Sequence, residues 1–201
     1  MIYIRYYRGK YKKPRVMVIE LVKAELDVKK FGFDKSIIVK DNFIEENNYE
    51  DARKKIDKLL KLTNLIIVQG RDEEFNRKVL ENKKVKILLD SENTNKEANL
   101  LQRNSGLNHV LCKIAKENNI IIGINLQEIV KREGKERADY LAKVMQNVML
   151  CKKYKSKMLM TTFANSENEL RNSYDMKALC LVLGMDTKMA KEAVEKGFLL
   201  S

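Results

Sequence analysis

Residues 65–90 read LIIVQGRDEEFNRKVLENKKVKILLD, and this stretch decides the fold class. Leu65–Gln69 is a short β-branched run, residues 72–82 carry a helical pattern, and Val85–Leu89 is a second apolar run. A strand, a helix and a strand in so short a span is a crossover unit, the way two parallel strands are joined. Outward from it the same alternation continues. Further strands are expected at Val16–Leu21, Ser36–Lys40, Ile120–Ile124 and Lys157–Thr162, with a weaker one at Phe198–Leu200. Helices are expected near 23–31, 50–61, 106–118, 136–155, 174–183 and 187–196. The runs IIV, LIIV, KILL and NIIIGI lack polar alternation, as strands covered on both faces do. With one Pro and no linker-like stretch, residues 16–201 read as a single α/β domain behind a basic, aromatic and flexible arm at 1–15. Neither G-x-G-x-x-G after the first strand nor G-x-x-x-x-G-K-[ST] is present, so the usual nucleotide signatures of open sheets are missing. Barrel and open sheet both remain compatible with six clear strands and one weak one.

Charge points to a class of partner. Forty Lys and Arg face 28 Asp and Glu, a net charge of +12, and a polyanion is the expected partner. The excess is localised, because residues 1–19, 98–116 and 140–166 contain no acid. In the arm, Tyr3, Tyr6, Tyr7 and Tyr11 alternate with Arg5, Arg8, Lys10, Lys12, Lys13 and Arg15, a composition suited to stacking and phosphate neutralisation on single-stranded RNA. No apolar run reaches a membrane span and no secretory leader precedes the first strand, so a cytoplasmic protein is expected.

Chemistry-bearing residues are sparse. Cys112, Cys151 and Cys180 are odd in number, have no C-x-x-C spacing and each fall in an expected helix, so they read as small buried hydrophobes. His109 is the one histidine, too few for a metal-dependent hydrolase barrel. Pairing His109 with Cys112 for nucleophilic catalysis has no motif behind it, and a lone histidine is more often structural. Asp90 and Glu92 follow a strand, where Mg²⁺ binding and a water-facing cap are both open. No independent catalytic site is expected.

Two helices carry more. In 107–118, Leu107, Val110, Leu111, Ile114 and Ala115 form a core stripe, with His109, Lys113 and Lys116 opposite. Gly106 lets the backbone approach closely at the helix start, and Arg103, His109 and the helix-start amides form a candidate phosphate site. In 136–155, Leu141, Val144, Met145 and Val148 form the expected buried stripe before a basic end, CKKYKSK. Those lysines offset the helix dipole and equally offer phosphate contacts.

RNSGLNHVLCKIAKENNIIIGINL at 103–126, AKVMQNVMLCKKYKSKMLMTTFA at 142–164 and DMKALCLVLGMD at 175–186, in this order, resemble the archaeal ribonuclease P protein component 3 family, relatives of a eukaryotic ribonuclease P and MRP subunit. The resemblance spans about residues 16–200. It implies a TIM-like (β/α) barrel, irregular with about seven strands, related to the polymerase and histidinol phosphatase superfamily but without its metal-binding histidines. Against the family, the region from 41 to 64 is short by a strand and a helix. The resemblance further implies a subunit of the ribonucleoprotein that removes 5′ leaders from precursor tRNA, supporting the catalytic RNA together with protein component 2 in a heterodimer or heterotetramer. Components 1 and 4, and precursor tRNA as substrate, complete the implied partners; no membrane is among them. No cofactor is expected on this chain, the Mg²⁺ belonging to the RNA subunit.

Matching the family's motifs marks Arg103, His109, Lys153 and Arg171 as candidate RNA-binding residues. Barrel loops gather on the carboxyl-end face of the strands, which adds Lys40 and Arg71, while Lys113, Lys155 and Lys157 extend the basic surface. Two other functions stay open at this point: a metal-dependent phosphoesterase of the parent superfamily, and a general RNA-binding barrel.

Overall fold

The computed structural model of the chain describes residues 17–94 and 104–195. The arm at 1–15, Arg103 and the weak strand at 198–200 lie outside the described residues. Seven strands and seven helices follow in order. The strands are β1 (Ile19–Val22), β2 (Lys35–Ile38), β3 (Phe43–Ile44), β4 (Ile67–Gln69), β5 (Ile87–Leu89), β6 (Ile121–Asn125) and β7 (Met158–Thr161). The helices are α1 (Tyr49–Leu59), α2 (Glu73–Glu81), α3 (His109–Glu117), α4 (Leu126–Val130), α5 (Gly134–Tyr154), α6 (Ser173–Val182) and α7 (Thr187–Glu195). The unit read at 65–90 is β4–α2–β5, with Ile67 opposite Ile87 in parallel register.

All pairings are parallel: β3-β4-β5-β6-β7 form one sheet and β1-β2 another. A parallel bridge, Val22 to Ala164, sets β1 beside β7, and the Lys23 amide donates to the Ala164 carbonyl at 2.8 Å. The run of strands curls. Phe43 on β3 meets Phe163, just past β7 at the far end of the same sheet, with ring centroids 4.9 Å apart, and the Lys23 ammonium stands over both rings.

Among the described residues, no pairing joins β2 to β3, so of the irregular barrel expected the structure shows the parallel α/β fold as a curved sheet, with no closure detected at this point. The reason is chain length. Parallel neighbours need a crossover of roughly a dozen residues, and residues 39–42 alone separate β2 from β3. That is where the strand-and-helix shortfall falls; 43–59 carries both a strand and a helix, β3 and α1. The expected helix at 23–31 is likewise only a single 3₁₀ turn, Lys29–Phe31, ended by Gly32 at φ 80°.

β1, β4, β5, β6 and β7 bury both faces, whereas β2 is exposed at Lys35 and Ile38. Leu21, Ile67, Ile87, Leu89, Ile121, Leu159 and Phe163 pack together inside the curl, while Val68, Leu88, Ile122 and Met160 face the helices. Fully burying such a side chain contributes about 1.5–3 kcal/mol, so this alternation holds the sheet between two apolar layers. All three cysteines are free and buried, as expected.

Candidate nucleic-acid interface

At the carboxyl ends of β4–β6 the chain turns inward. Asp90, at φ 51°, is fully buried; its carboxylate accepts from the Asn125 amide at 2.7 Å and from Gln69 Nε2 at 3.4 Å. Glu92, also buried, accepts from Ser91 Oγ, Asn147 Nδ2 and the Tyr140 hydroxyl, each at 3.2 Å. Burial pushes the pKa of both carboxyls up, Asp90 furthest, because the charged form loses hydration. Their lone pairs are turned to protein donors, so neither the Mg²⁺ site nor the water-facing cap describes them. Among the described residues, no group of three or more His, Cys, Asp or Glu side chains is placed to hold a metal ion.

The same network rearranges the faces of two helices. Tyr140 and Asn147 point from α5 into it, so the buried face of α5 includes Tyr140, Lys143, Val144, Asn147, Val148 and Cys151, while Met145 is exposed. On α3, Cys112 turns inward with Leu111 and Ala115 while Val110 is left exposed. The expected stripes were therefore displaced at Met145 and Val110. Cys112 packs toward α5, and the Cys112 carbonyl accepts from Ser156 Oγ at 2.7 Å, tying the turn after α5 to the flank of α3.

Helix α3 begins at His109, and its first amides are already satisfied: Asn108 Oδ1 accepts from the Val110 amide at 2.8 Å and the Leu111 amide at 2.9 Å. Asn108 in turn donates to Glu73. A side-chain cap and a neighbouring carboxylate leave this helix start unsuited to a phosphate, which corrects the expectation for that site.

The candidate cations separate into two groups. Lys40 is exposed at the end of β2. Arg71 donates from Nε to the Glu46 carbonyl at 2.8 Å, and Arg171 donates from Nη1 to the Asn168 and Leu170 carbonyls at 2.7 Å. At the carboxyl-end side Arg171 thus braces its own loop, while Arg71, after β4, holds the loop after β3. Lys157 lies at the opposite end, immediately before β7, where Nζ reaches Asn119 Oδ1 at 2.9 Å. A single basic surface through all of them is not formed.

His109, Lys113, Lys153 and Lys155 do converge, on Tyr154 at the end of α5. The His109 and Tyr154 ring centroids lie 6.3 Å apart, and the Lys113 and Lys153 ammonium groups stand 5.8 and 5.7 Å from the Tyr154 centroid. Lys113, Lys116, Lys153 and Lys155 are all exposed. Among the described residues, no carboxylate lies within ion-pair distance of any of these four lysines, unlike Lys54, Lys78 or Lys84 on other faces. Tyr154 is not among the sequence candidates, although an aromatic set between lysines in KKYK repeats the pattern of the arm.

The chain thus joins a curved parallel α/β sheet, a buried carboxylate pair held by protein donors, and an exposed basic-aromatic flank on α3 and α5. The family model of RNase P subunit p30 matches residues 43–198, and the chain belongs to that family. Ribonuclease P protein component 3 of Methanococcus vannielii is 29% identical over 84% of this chain and 70% of its own length. The corresponding protein of Methanosarcina acetivorans is 35% identical over 74% of this chain and 59% of its own length. The chain thus spans 59% to 70% of the length of these two relatives. A chain in the cryo-EM structure of archaeal ribonuclease P with mature tRNA superposes with a TM-score of 0.67 at 22% identity, covering 90% of this chain and 79% of that one, which shows a shared fold.

Proposed function

We propose that the chain works as a protein subunit of ribonuclease P, the ribonucleoprotein that removes 5′ leaders from precursor tRNA. The family match over residues 43–198 carries this reading, and the unpaired lysines of the α3–α5 flank give it a mechanism. The cutting centre belongs to the RNA subunit with its Mg²⁺. This chain supplies fixed cations that neutralise RNA phosphates as the active fold forms, which lowers the Mg²⁺ the RNA requires. Its sheet is an open relative of the TIM-like barrel, shortened between β2 and β3. Protein component 2 is its direct partner, with components 1 and 4 elsewhere in the assembly.

RNA contact is assigned to His109, Lys113, Lys153 and Lys155, with Lys157 extending the surface; Arg103, outside the described residues, stays a candidate by its motif alone. Arg71 and Arg171 act by holding backbone carbonyls, and Lys40 is a further exposed cation away from this flank. Co-expression with component 2 tests the partnership: the two proteins are expected to co-purify and to retain the cognate RNA subunit on a column. Separate elution of this chain from component 2 would refute it.

A further inference from the structure

Tyr154 stands at the mouth of a recess of about 450 Å³ lined by Lys113, Lys116, Glu117, Lys153 and Lys155. That volume lies within the range of roughly 300–1,000 Å³ in which small planar ligands are held. The tyrosine is half-exposed, with its remaining surface packed on the core, so the ring is held rather than free to rotate into solvent. The next residue is unusual. Lys155 ends α5 in the left-handed conformation, φ 58°, its amide donating to the Cys151 and Lys152 carbonyls. Glycine is the ordinary occupant of that position, and a side chain there carries backbone strain. This lysine lines the recess together with Tyr154. Ser156 then locks the turn, its hydroxyl donating to the Cys112 carbonyl.

We propose that this recess binds an unpaired nucleotide of RNA, with its base stacked on Tyr154 and its flanking phosphates on Lys113, Lys153 and Lys155. The inference rests on the ribonuclease P reading and adds to it the class of RNA element recognised, a looped-out or single-stranded nucleotide. An aromatic face between separated cations fits that ligand: every base has a face to stack, and adjoining phosphates lie on either side of it. An acidic protein segment would use the lysines but has no need of the ring. Glu117 is the one carboxylate among the lining residues, against four lysines.

The test uses the full chain as wild type, Tyr154→Phe and Tyr154→Leu, the last keeping the apolar contact with the core. Each is titrated by fluorescence anisotropy with a short single-stranded oligouridylate and with an RNA duplex of the same length. Tyr154→Leu is expected to weaken single-strand binding about 5- to 150-fold, the worth of one base–aromatic stack. Tyr154→Phe keeps wild-type affinity, and duplex affinity is the same for all three. Unchanged single-strand affinity in Tyr154→Leu, or an equal loss for strand and duplex, would overturn the proposal. Precursor-tRNA cleavage assayed in parallel separates the two levels. Stimulation by the wild-type chain with an unaffected Leu variant overturns stacking alone. Absence of wild-type stimulation overturns the reading beneath it and removes the proposal with it.

Discussion

Replacing Gly106 by alanine tests the junction that places α3. Gly106 has φ 76°, and an added Cβ would lie 1.8 Å from the Ser91 carbonyl oxygen and 2.8 Å from Asn76 Nδ2. Neither neighbour is free to move. Asn76 is fully buried and its Nδ2 serves the carbonyls of Arg71, Ser91 and Gly106, each at 3.0 Å, while the Ser105 carbonyl accepts from Asn147 at 2.9 Å. Left-handed backbone with a side chain costs about 1 kcal/mol, and a buried amide stripped of partners about 1–3 kcal/mol. The sum is on the order of 3 kcal/mol, a large share of the ~5–15 kcal/mol that holds a domain folded. In a chain of this size that lowers Tm by roughly 6–12 °C. Gly134→Ala is the control: φ is 49°, yet no atom lies within 4 Å of the added Cβ, so about 1 kcal/mol or less is lost. Thermal melting of both variants by circular dichroism reads the difference. Equal losses, or Gly106→Ala melting with the wild type, would refute the close approach of 105–107 to Ser91.

Because burial raises Asp90 and Glu92, the folded chain holds protons that the unfolded chain releases. The stabilising contribution is complete below the ordinary carboxylate range and is lost as pH rises through the folded values. Asp90→Asn, with the Gln69 amide turned over to pair with it, is expected to gain stability relative to wild type as pH rises; a gap independent of pH contradicts this. Changing Lys113, Lys153 and Lys155 together to Gln is expected to flatten the dependence of log affinity on log salt by about 2–3, at roughly 0.7–0.9 for each phosphate no longer neutralised. Lys40→Gln, at the other end of the strands, leaves that slope as it is. Arg171→Gln loses the bonds to the Asn168 and Leu170 carbonyls, and hydrogen exchange at 165–172 is expected to quicken as about 1 kcal/mol of local stability goes.

The parallel α/β class was legible because strands buried on both faces are written as unbroken apolar runs. β4, β5, β6 and β7 each fall inside the stretches expected for them, apart from Asn125 at the end of β6. β3 was not legible: two residues, Phe43 and Ile44, carry no periodicity, and their strand character comes from pairing with Ile67 and Val68. Nor was the failure to close, which depends on the reach of residues 39–42 and not on their composition. Helix faces were misjudged where polar residues are buried. The stripe read at Leu141, Val144, Met145 and Val148 leaves out Asn147 and Tyr140, both of which bond Glu92, a partner far away in sequence. For the candidate interface, the lysines of CKKYKSK were visible as charge, but their neighbourhood with His109 and Lys113 follows from the Cys112–Ser156 contact between α3 and the α5–β7 turn. Arg71 and Arg171 show the converse: their charge is plain in the sequence, while its use on backbone carbonyls appears only in the fold.

Cleavage of precursor tRNA by the cognate RNA subunit at low Mg²⁺, with component 2 alone and then with this chain added, tests the proposed function most directly. Stimulation that needs both proteins, and that falls when Lys113, Lys153 and Lys155 are neutralised in a chain that still folds and pairs, is the expected result. Cleavage unchanged by adding the folded wild-type chain would contradict it.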